Sequence, residues 1–409
     1  MSRLGHLATM SCAGVAQLMC SAGAAVVAAR ALGPGERGVM VLGVTLGGLC
    51  ALVGACGTGS ALRRRLCLER GDTTAVLSAF TRCSAAGAVA AALLGVAVTA
   101  GSATFIDSRM AAPWFLVAVG CFTAVQLVIG QVVDAWYAAG RFRRGAATAA
   151  VTGAGGLGGV LLASFSPSAT TLLLAQVAGT AAAAVAEVVA LRRGGLLQWG
   201  PGDQVAALLR LGAPTLGLSI GLVVVLRADR YVLGVTAGTA AVGIYSVAAT
   251  LSEVPRILPA AIGQLCLRDV ALGHGRNMAD SVLFGLGTTA VAGPLVALVA
   301  WPLVVPVFGT EFVAARELLV VLVAAELCFA PWAVASRGLV GGGWTAAAGW
   351  LGAASAVAAV ACYTVTGTLA GATGVAAGSV FLYAAMSAAS WTMLRHRLSA
   401  RTPAQLGGR

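Results

Sequence analysis

Six ionisable residues stand inside otherwise apolar stretches of the chain: Arg227, Asp229, Arg230, Glu253, Arg256 and Glu326. A guanidinium stays charged when buried and grips phosphate or carboxylate oxygens through a planar fork. A carboxylate at the same depth can neutralise it or exchange a proton. An ionisable side chain in lipid costs about 2.5–3.5 kcal/mol on insertion scales, so such groups face protein or water. The chemistry on offer is therefore the holding of an anion, with carboxylates as structural partners or ion-coupling groups. Bond-making chemistry has no footing. There is no HExxH, no GxSxG and no phosphate-binding GxxxxGK[ST]. The Gly-rich runs Thr152–Gly159 and Gly338–Gly343 follow no soluble strand. The chain reads as a non-enzyme.

The elements that position these groups follow from composition. Hydrophobic residues make up 59% of the chain and charged residues 10%, with mean hydropathy +0.92. Soluble domains carry about 25% charged residues, so this is a polytopic membrane protein. The pattern predicts an all-α fold with twelve spans, at roughly 7–29, 38–61, 83–105, 113–133, 146–165, 169–191, 211–233, 242–266, 282–307, 313–336, 344–366 and 369–394. The 55 glycines suit close helix packing in lipid. The ten cysteines form no CxxC and sit mostly in apolar runs, as small hydrophobes. The three histidines are too scattered to hold a metal, so no cofactor is expected.

The stretch Arg227–Pro259 is expected to be a hairpin of two spans around a Gly-rich turn. Arg227 lies about 10 Å inside the end of its span, and Arg230 shares its face. Antiparallel folding then predicts an Arg227–Glu253 pair, with Arg230 and Arg256 left partly available to an anion. Asp229 falls on a neighbouring face and receives no role. Glu326 has no opposite charge in its own segment. It is either a proton-coupling carboxylate or the partner of an Arg on another span, and both readings stay open. Arg30, beside the turn LGPGE, anchors the membrane interface or lines the mouth of a cavity. Glu187 is expected to pair with Arg192 and Arg193, and Asp134 to mark an interface beside Trp136 and Tyr137.

The net charge of +12 comes entirely from arginine among the basic residues. These arginines are scattered over short loops, which favours topology and anionic lipid over nucleic acid. Placing both termini in the cytoplasm gives the inner loops Arg63–Arg65, Arg70, Arg141, Arg143, Arg144, Arg192, Arg193, Arg210, Arg268, Arg276 and Arg337. The outer loops then carry only Arg30, Arg37, Arg109 and Arg316, with Arg230 near a segment end. The halves are expected at 1–194 and 211–409, joined by an interfacial linker at 195–210. A short echo of Arg30–Gly33 in Arg230–Gly234 suggests a repeat of six spans about an axis along the membrane normal.

Two stretches carry a resemblance to a family. Arg30–Pro34, Gly57–Ala61 and Arg63–Arg65 form one. Asp229, Arg230, Leu233 and Gly234, followed by Gly243, Tyr245, Ser246 and Ala248, form the other. Together they resemble the openings of the two halves of bacterial polysaccharide and oligosaccharide flippases, members of the multidrug/oligosaccharidyl-lipid/polysaccharide exporter superfamily. The resemblance implies two six-helix bundles around a cationic cavity, opened alternately to either face. It implies an undecaprenyl-diphosphate-linked oligosaccharide as substrate, moved across the bacterial cytoplasmic membrane for surface polysaccharide biosynthesis. It also implies a coupling proton or sodium, with membrane lipids and polysaccharide assembly proteins as partners. On this reading Arg227, Arg230, Arg256 and Arg30 meet substrate, while Glu253, Glu326 and Asp229 serve coupling or charge pairing. The rivals are an ion-coupled multidrug exporter of the same superfamily and a lipid II flippase. The first span of this chain has no acidic residue to hold a coupling ion, which weighs against the former. Twelve spans, where lipid II flippases usually have fourteen, weigh against the latter.

Overall fold

The computed structural model describes residues 3–68, 73–165, 167–200, 204–271 and 278–399. The described residues are helical, without strands. In chain order the helices are α1 (Arg3–Ala55), α2 (Thr58–Leu68), α3 (Thr73–Ala103), α4 (Pro113–Ala138), α5 (Phe142–Ala163) and α6 (Ala169–Arg193). Then follow α7 (Val205–Ser252), α8 (Ile257–Ala271), α9 (Met278–Phe308), α10 (Ala315–Gly341) and α11 (Thr345–Ser399). Among the described residues, nine helical stretches are long and apolar enough to cross a membrane.

Three helices are too long for one crossing. α1 has 53 residues, α7 has 48 and α11 has 55. At 1.5 Å per residue each would extend roughly 70–80 Å, against a hydrocarbon core of about 30 Å. Each is broken near its middle: α1 at Gly33, α7 at Gly238, and α11 at Ala370 and Gly371. Every broken helix supplies two arms, so the nine apolar stretches provide the twelve crossings expected from the sequence. The third span begins earlier than its apolar run suggests. α3 starts at Thr73 and carries Arg82 within its first turns.

The breaks in α1 and α7 are alike. Gly33 has φ 67 and ψ 175, and Gly238 has φ 82 and ψ 173. This region of backbone space is open essentially to glycine alone. Pro34 sharpens the first break, since it has no N–H to continue the helical ladder. The repeat is therefore real in backbone geometry, but its register differs from the one read in the sequence. The counterpart of Gly33 is Gly238, one helical turn beyond Gly234.

The chain divides into two compact units. Unit 1 comprises Met1–Val223 together with Gly238–Gly243. Unit 2 comprises Val224–Ala237 and Ile244–Arg409. In unit 1, Trp136, Phe80, Leu62, Val132, Leu191 and Leu208 form a buried cluster that ties α2, α3, α4, α6 and the start of α7. The segment 238–243 is seated in this unit by backbone-to-glycine packing. A Cβ on Gly38 would overlap the carbonyl of Thr239, and a Cβ on Gly243 would overlap the carbonyl of Pro34. The two contacts are reciprocal: Pro34 follows Gly33 as Thr239 follows Gly238, and Gly38 stands to Gly33 as Gly243 to Gly238. Self-complementary pairing of this kind is the mark of a local two-fold relation.

Gly38→Val and Gly243→Val are each expected to destabilise the protein by at least about 1–3 kcal/mol, because the obstructing atoms are backbone. Gly48→Ala, whose added Cβ would meet nothing within 4 Å, is the control and leaves the midpoint unchanged or raised. Thermal unfolding of the purified protein in detergent, followed by tryptophan fluorescence, measures both.

Candidate functional site

The ionisable residues singled out in the second half all lie in unit 2. The break at Gly238 turns α7 back on itself, so its first arm, with Arg227, Asp229 and Arg230, runs beside its second, which ends at Glu253. One carboxylate oxygen, Glu253 Oε1, accepts from Arg227 Nη1 at 3.1 Å and from Arg230 Nη2 at 2.9 Å. The expected Arg227–Glu253 pair is present. Arg230 is not left over, as expected from the sequence, but shares the same oxygen.

The backbone loosens at this point. α7 stops at Ser252 and the residues Val254–Arg256 form a single 3-10 turn around Pro255 before α8 begins. Irregular backbone at membrane depth survives only where it is buried in protein or lines a water-filled cavity. The turn separates Glu253 from Arg256 and gives them different partners. Arg256 forks onto Glu326 of α10, with Nε donating to Oε2 at 2.8 Å and Nη2 donating to Oε1. Its guanidinium also lies over the Phe329 ring, 4.8 Å from the centroid. Of the two readings left open for Glu326, the interhelical ion pair is the one observed. Arg256, expected to be available to an anion, is instead engaged by a bidentate carboxylate and an aromatic face.

Three guanidinium groups meet two glutamates here, with the buried Asp229 carboxyl beside them. The side chains differ in access. Arg227 is 34% exposed, against 10% for Arg230 and 4% for Glu326. Arg230 Nε is buried without a hydrogen-bond partner. A buried polar atom left unpaired is costly.

Asp229 acquires a role that its sequence position did not disclose. It is buried, and Oδ2 accepts from the Tyr245 hydroxyl at 2.9 Å while Oδ1 accepts from the Arg230 backbone N–H at 2.7 Å. Tyr245 lies on the second arm of α7, so this bond ties the two arms beside the ion cluster. Tyr363 of α11 donates to the Val225 carbonyl at 3.1 Å and fastens the first arm from another side.

Arg30 is exposed and belongs to unit 1, whereas the ion cluster belongs to unit 2. Two other charges depart from expectation. Arg37, read as a loop residue, is buried and donates to the Ala25 carbonyl. Glu187 accepts from Thr148 Oγ1 of α5 at 2.8 Å, where Arg192 and Arg193 were the expected partners. Asp134 is the ion partner of Arg63, whose guanidinium lies 4.9 Å from the Tyr137 ring centroid.

This helical architecture is that of a multi-pass membrane protein. The chain is similar to lipid II flippase MurJ in an inward closed conformation, with TM-score 0.73, 12% identity, and coverage of 96% of this chain and 93% of that one. It is similar also to an inward-facing multidrug resistance MATE family transporter of the MOP superfamily, with TM-score 0.70, 14% identity, and coverage of 94% and 95%. A third is the Vibrio cholerae MATE transporter VcmN, with TM-score 0.67, 13% identity, and coverage of 97% of each chain. At these identities the likeness concerns the fold. No curated protein matches at a significant level. Residues 7–267 match the family described as polysaccharide biosynthesis protein, and the chain belongs to that family.

The Arg256–Glu326 pair yields a stability prediction. Removing one partner of a buried pair costs about 3–5 kcal/mol, because the other charge is left uncompensated. Glu326→Gln is expected to lower the thermal midpoint more than the double change Glu326→Gln with Arg256→Gln. A double-mutant cycle on unfolding midpoints in detergent checks the sign of that coupling.

Proposed function

We propose that the protein moves an undecaprenyl-diphosphate-linked oligosaccharide across the cytoplasmic membrane for surface polysaccharide biosynthesis. The observation that carries this reading is the cluster of three arginines and two glutamates at membrane depth, in which Arg227 is the most exposed arginine. A lipid diphosphate is anionic and must be neutralised on its way through lipid. Guanidinium groups suit this task because they remain charged and bind phosphate oxygens in a fork.

Within the cluster, Arg227 is the first contact for the anion, since it is the most exposed arginine and has one carboxylate partner. Arg230 is the second, through its unpaired Nε. Glu253 is the group that the phosphate displaces. Arg256 and Glu326 then act as a fixed strut rather than as headgroup ligands. Arg30 is taken as a further contact for the headgroup, and alternating access is the means by which the headgroup crosses. Membership of the polysaccharide biosynthesis family supports the substrate class. The name of the MurJ relative, a lipid II flippase, supports a lipid-linked sugar in general. The absence of any acidic residue from 7–29 weighs against an ion-coupled drug exporter. A coupling proton or sodium completes the proposal, with Glu253 or Asp229 as its site. Both termini lie in the cytoplasm, and the halves 1–194 and 211–409 act as the two moving bodies.

Arg227→Ala is expected to reduce surface polysaccharide at least about tenfold, the scale of one lost charge-assisted contact, at unchanged protein level. Arg227→Lys retains part of the activity, because charge remains while the fork is lost. Normal export by the alanine variant would remove Arg227 from the path. Topology is checked separately in a cysteine-free background. Glu311→Cys is expected to react with an impermeant maleimide added to whole cells, and Arg193→Cys only after the membrane is opened. The reverse pattern would invert the orientation.

A further inference from the structure

A second charged cluster lies in unit 1, at the breaks of α1 and α7 and the α3–α4 connection. Between α3 and α4 a short 3-10 turn, Ser108–Ala111, is capped by Asp107. Arg109 stands at its centre. Its Nη2 donates to Asp107 Oδ2 at 2.6 Å, its Nη1 to Glu36 Oε1 at 2.6 Å, and its Nη2 also to Thr239 Oγ1 at 3.3 Å. Thr239 Oγ1 donates in turn to Asp107 Oδ2 at 3.2 Å. Glu36 Oε2 accepts from the Ala169 N–H at the start of α6, at 3.0 Å. Four separate segments converge: the α1 break, the α3–α4 connection, the start of α6, and the turn of α7.

The turn is the unusual member. Gly238–Gly243 belongs to unit 1, yet the stretches of α7 that flank it, 224–237 and 244–252, belong to unit 2 and carry Arg227, Asp229, Arg230 and Tyr245. Packing of Gly38 and Gly243 seats the turn, and the polar cluster fastens it. The fastening is reversible by its nature. Arg109 is 47% exposed, and ion pairs open to water are worth only about 0–1 kcal/mol each. The hydrogen bonds from Arg109 hold the Asp107 carboxyl below the usual carboxylate range, despite some desolvation. The lowered value keeps Asp107 ionised at neutral and mildly acid pH, with Arg109 and Glu36 as the charged groups facing it.

We propose that Glu36, Asp107, Arg109 and Thr239 form a releasable latch on the α7 turn, and that transport requires its release. The latch acts on the helix that carries the arginines without touching substrate. The latch itself stands without the substrate reading, whereas the requirement for release rests on it, because export is the activity read.

The test uses Val242→Cys, a position fully buried in the turn, in a cysteine-free full-length chain reconstituted in nanodiscs. Both faces are then open to reagent and neither topology nor substrate enters. Maleimide reaction is expected to be slow in the parent and about tenfold faster with Arg109→Ala, the scale of losing charge-assisted hydrogen bonds. Glu36→Gln and Thr239→Val, milder changes that retain the guanidinium, are expected to give smaller increases of about two- to fivefold. Arg109→Lys falls between the parent and alanine. Rates for all of these variants within twofold of the parent, in protein that elutes as a single species, would overturn the latch. In cells, Asp107→Cys with Thr239→Cys, bridged by a short reducible bismaleimide, is expected to stop export and to regain it on reduction. Undiminished export by the bridged protein would show that release is not required. If Arg227→Ala exports normally while Arg109→Ala still speeds labelling, the substrate reading fails and the latch stands.

Discussion

A single carboxylate oxygen holds two guanidinium groups, and the shape of α7 depends on it. Arg227 and Arg230 lie on one arm of the helix and Glu253 ends the other. In lipid neither arginine is tolerable without a counter-charge. The counter-charge comes from the same helix only if the helix folds back, and Gly238 makes that possible with a conformation closed to other residues. The Asp229–Tyr245 bond joins the same two arms. Conformation, charge balance and packing thus impose the same hairpin. The loosened turn around Pro255 then separates Glu253 from Arg256, so that the second arginine takes its carboxylate from α10.

The cluster is balanced in an uneven way. Arg256 and Glu326 satisfy each other through a fork, the geometry with the highest specificity and the least reason to open. Arg227 and Arg230 compete for one oxygen, and part of their bonding capacity is unused. The closed pair ties α10 to the turn at Pro255, and the shared one leaves the Arg230 Nε unpaired.

The sequence made the class of fold legible because membrane spans announce themselves through length and apolarity, independent of tertiary detail. It also made legible which charges were out of place, since an arginine in an apolar run needs an explanation wherever it points. Partner choice was less accessible. Whether Glu326 meets Arg256 depends on the rotation of α10 against the turn at Pro255, a relation between residues far apart in the chain. The repeat was visible but misregistered, because Gly234 and Gly238 look equivalent as letters and differ only in φ. Arg37 passed for a loop residue, because a two-arm helix broken at glycine reads in sequence as two helices with a loop between. Arg109 passed for an outer-loop arginine. Asp-x-Arg in a short connection is common, and nothing in its neighbours reports that Thr239 and Glu36 arrive beside it.

The placement of Gly238–Gly243 in unit 1 has a consequence for how the chain is made. Domains usually fold as units during synthesis, the N-terminal one first. Here the first unit is incomplete when Val223 has been added, for one of its pieces is encoded further on. Gly38 and Pro34 await partners that emerge only with the turn of α7. Final consolidation of the first unit is therefore tied to insertion of the second pair of arms, and the two units mature together rather than in succession. A chain cut after Val223 leaves the first unit without its 238–243 segment.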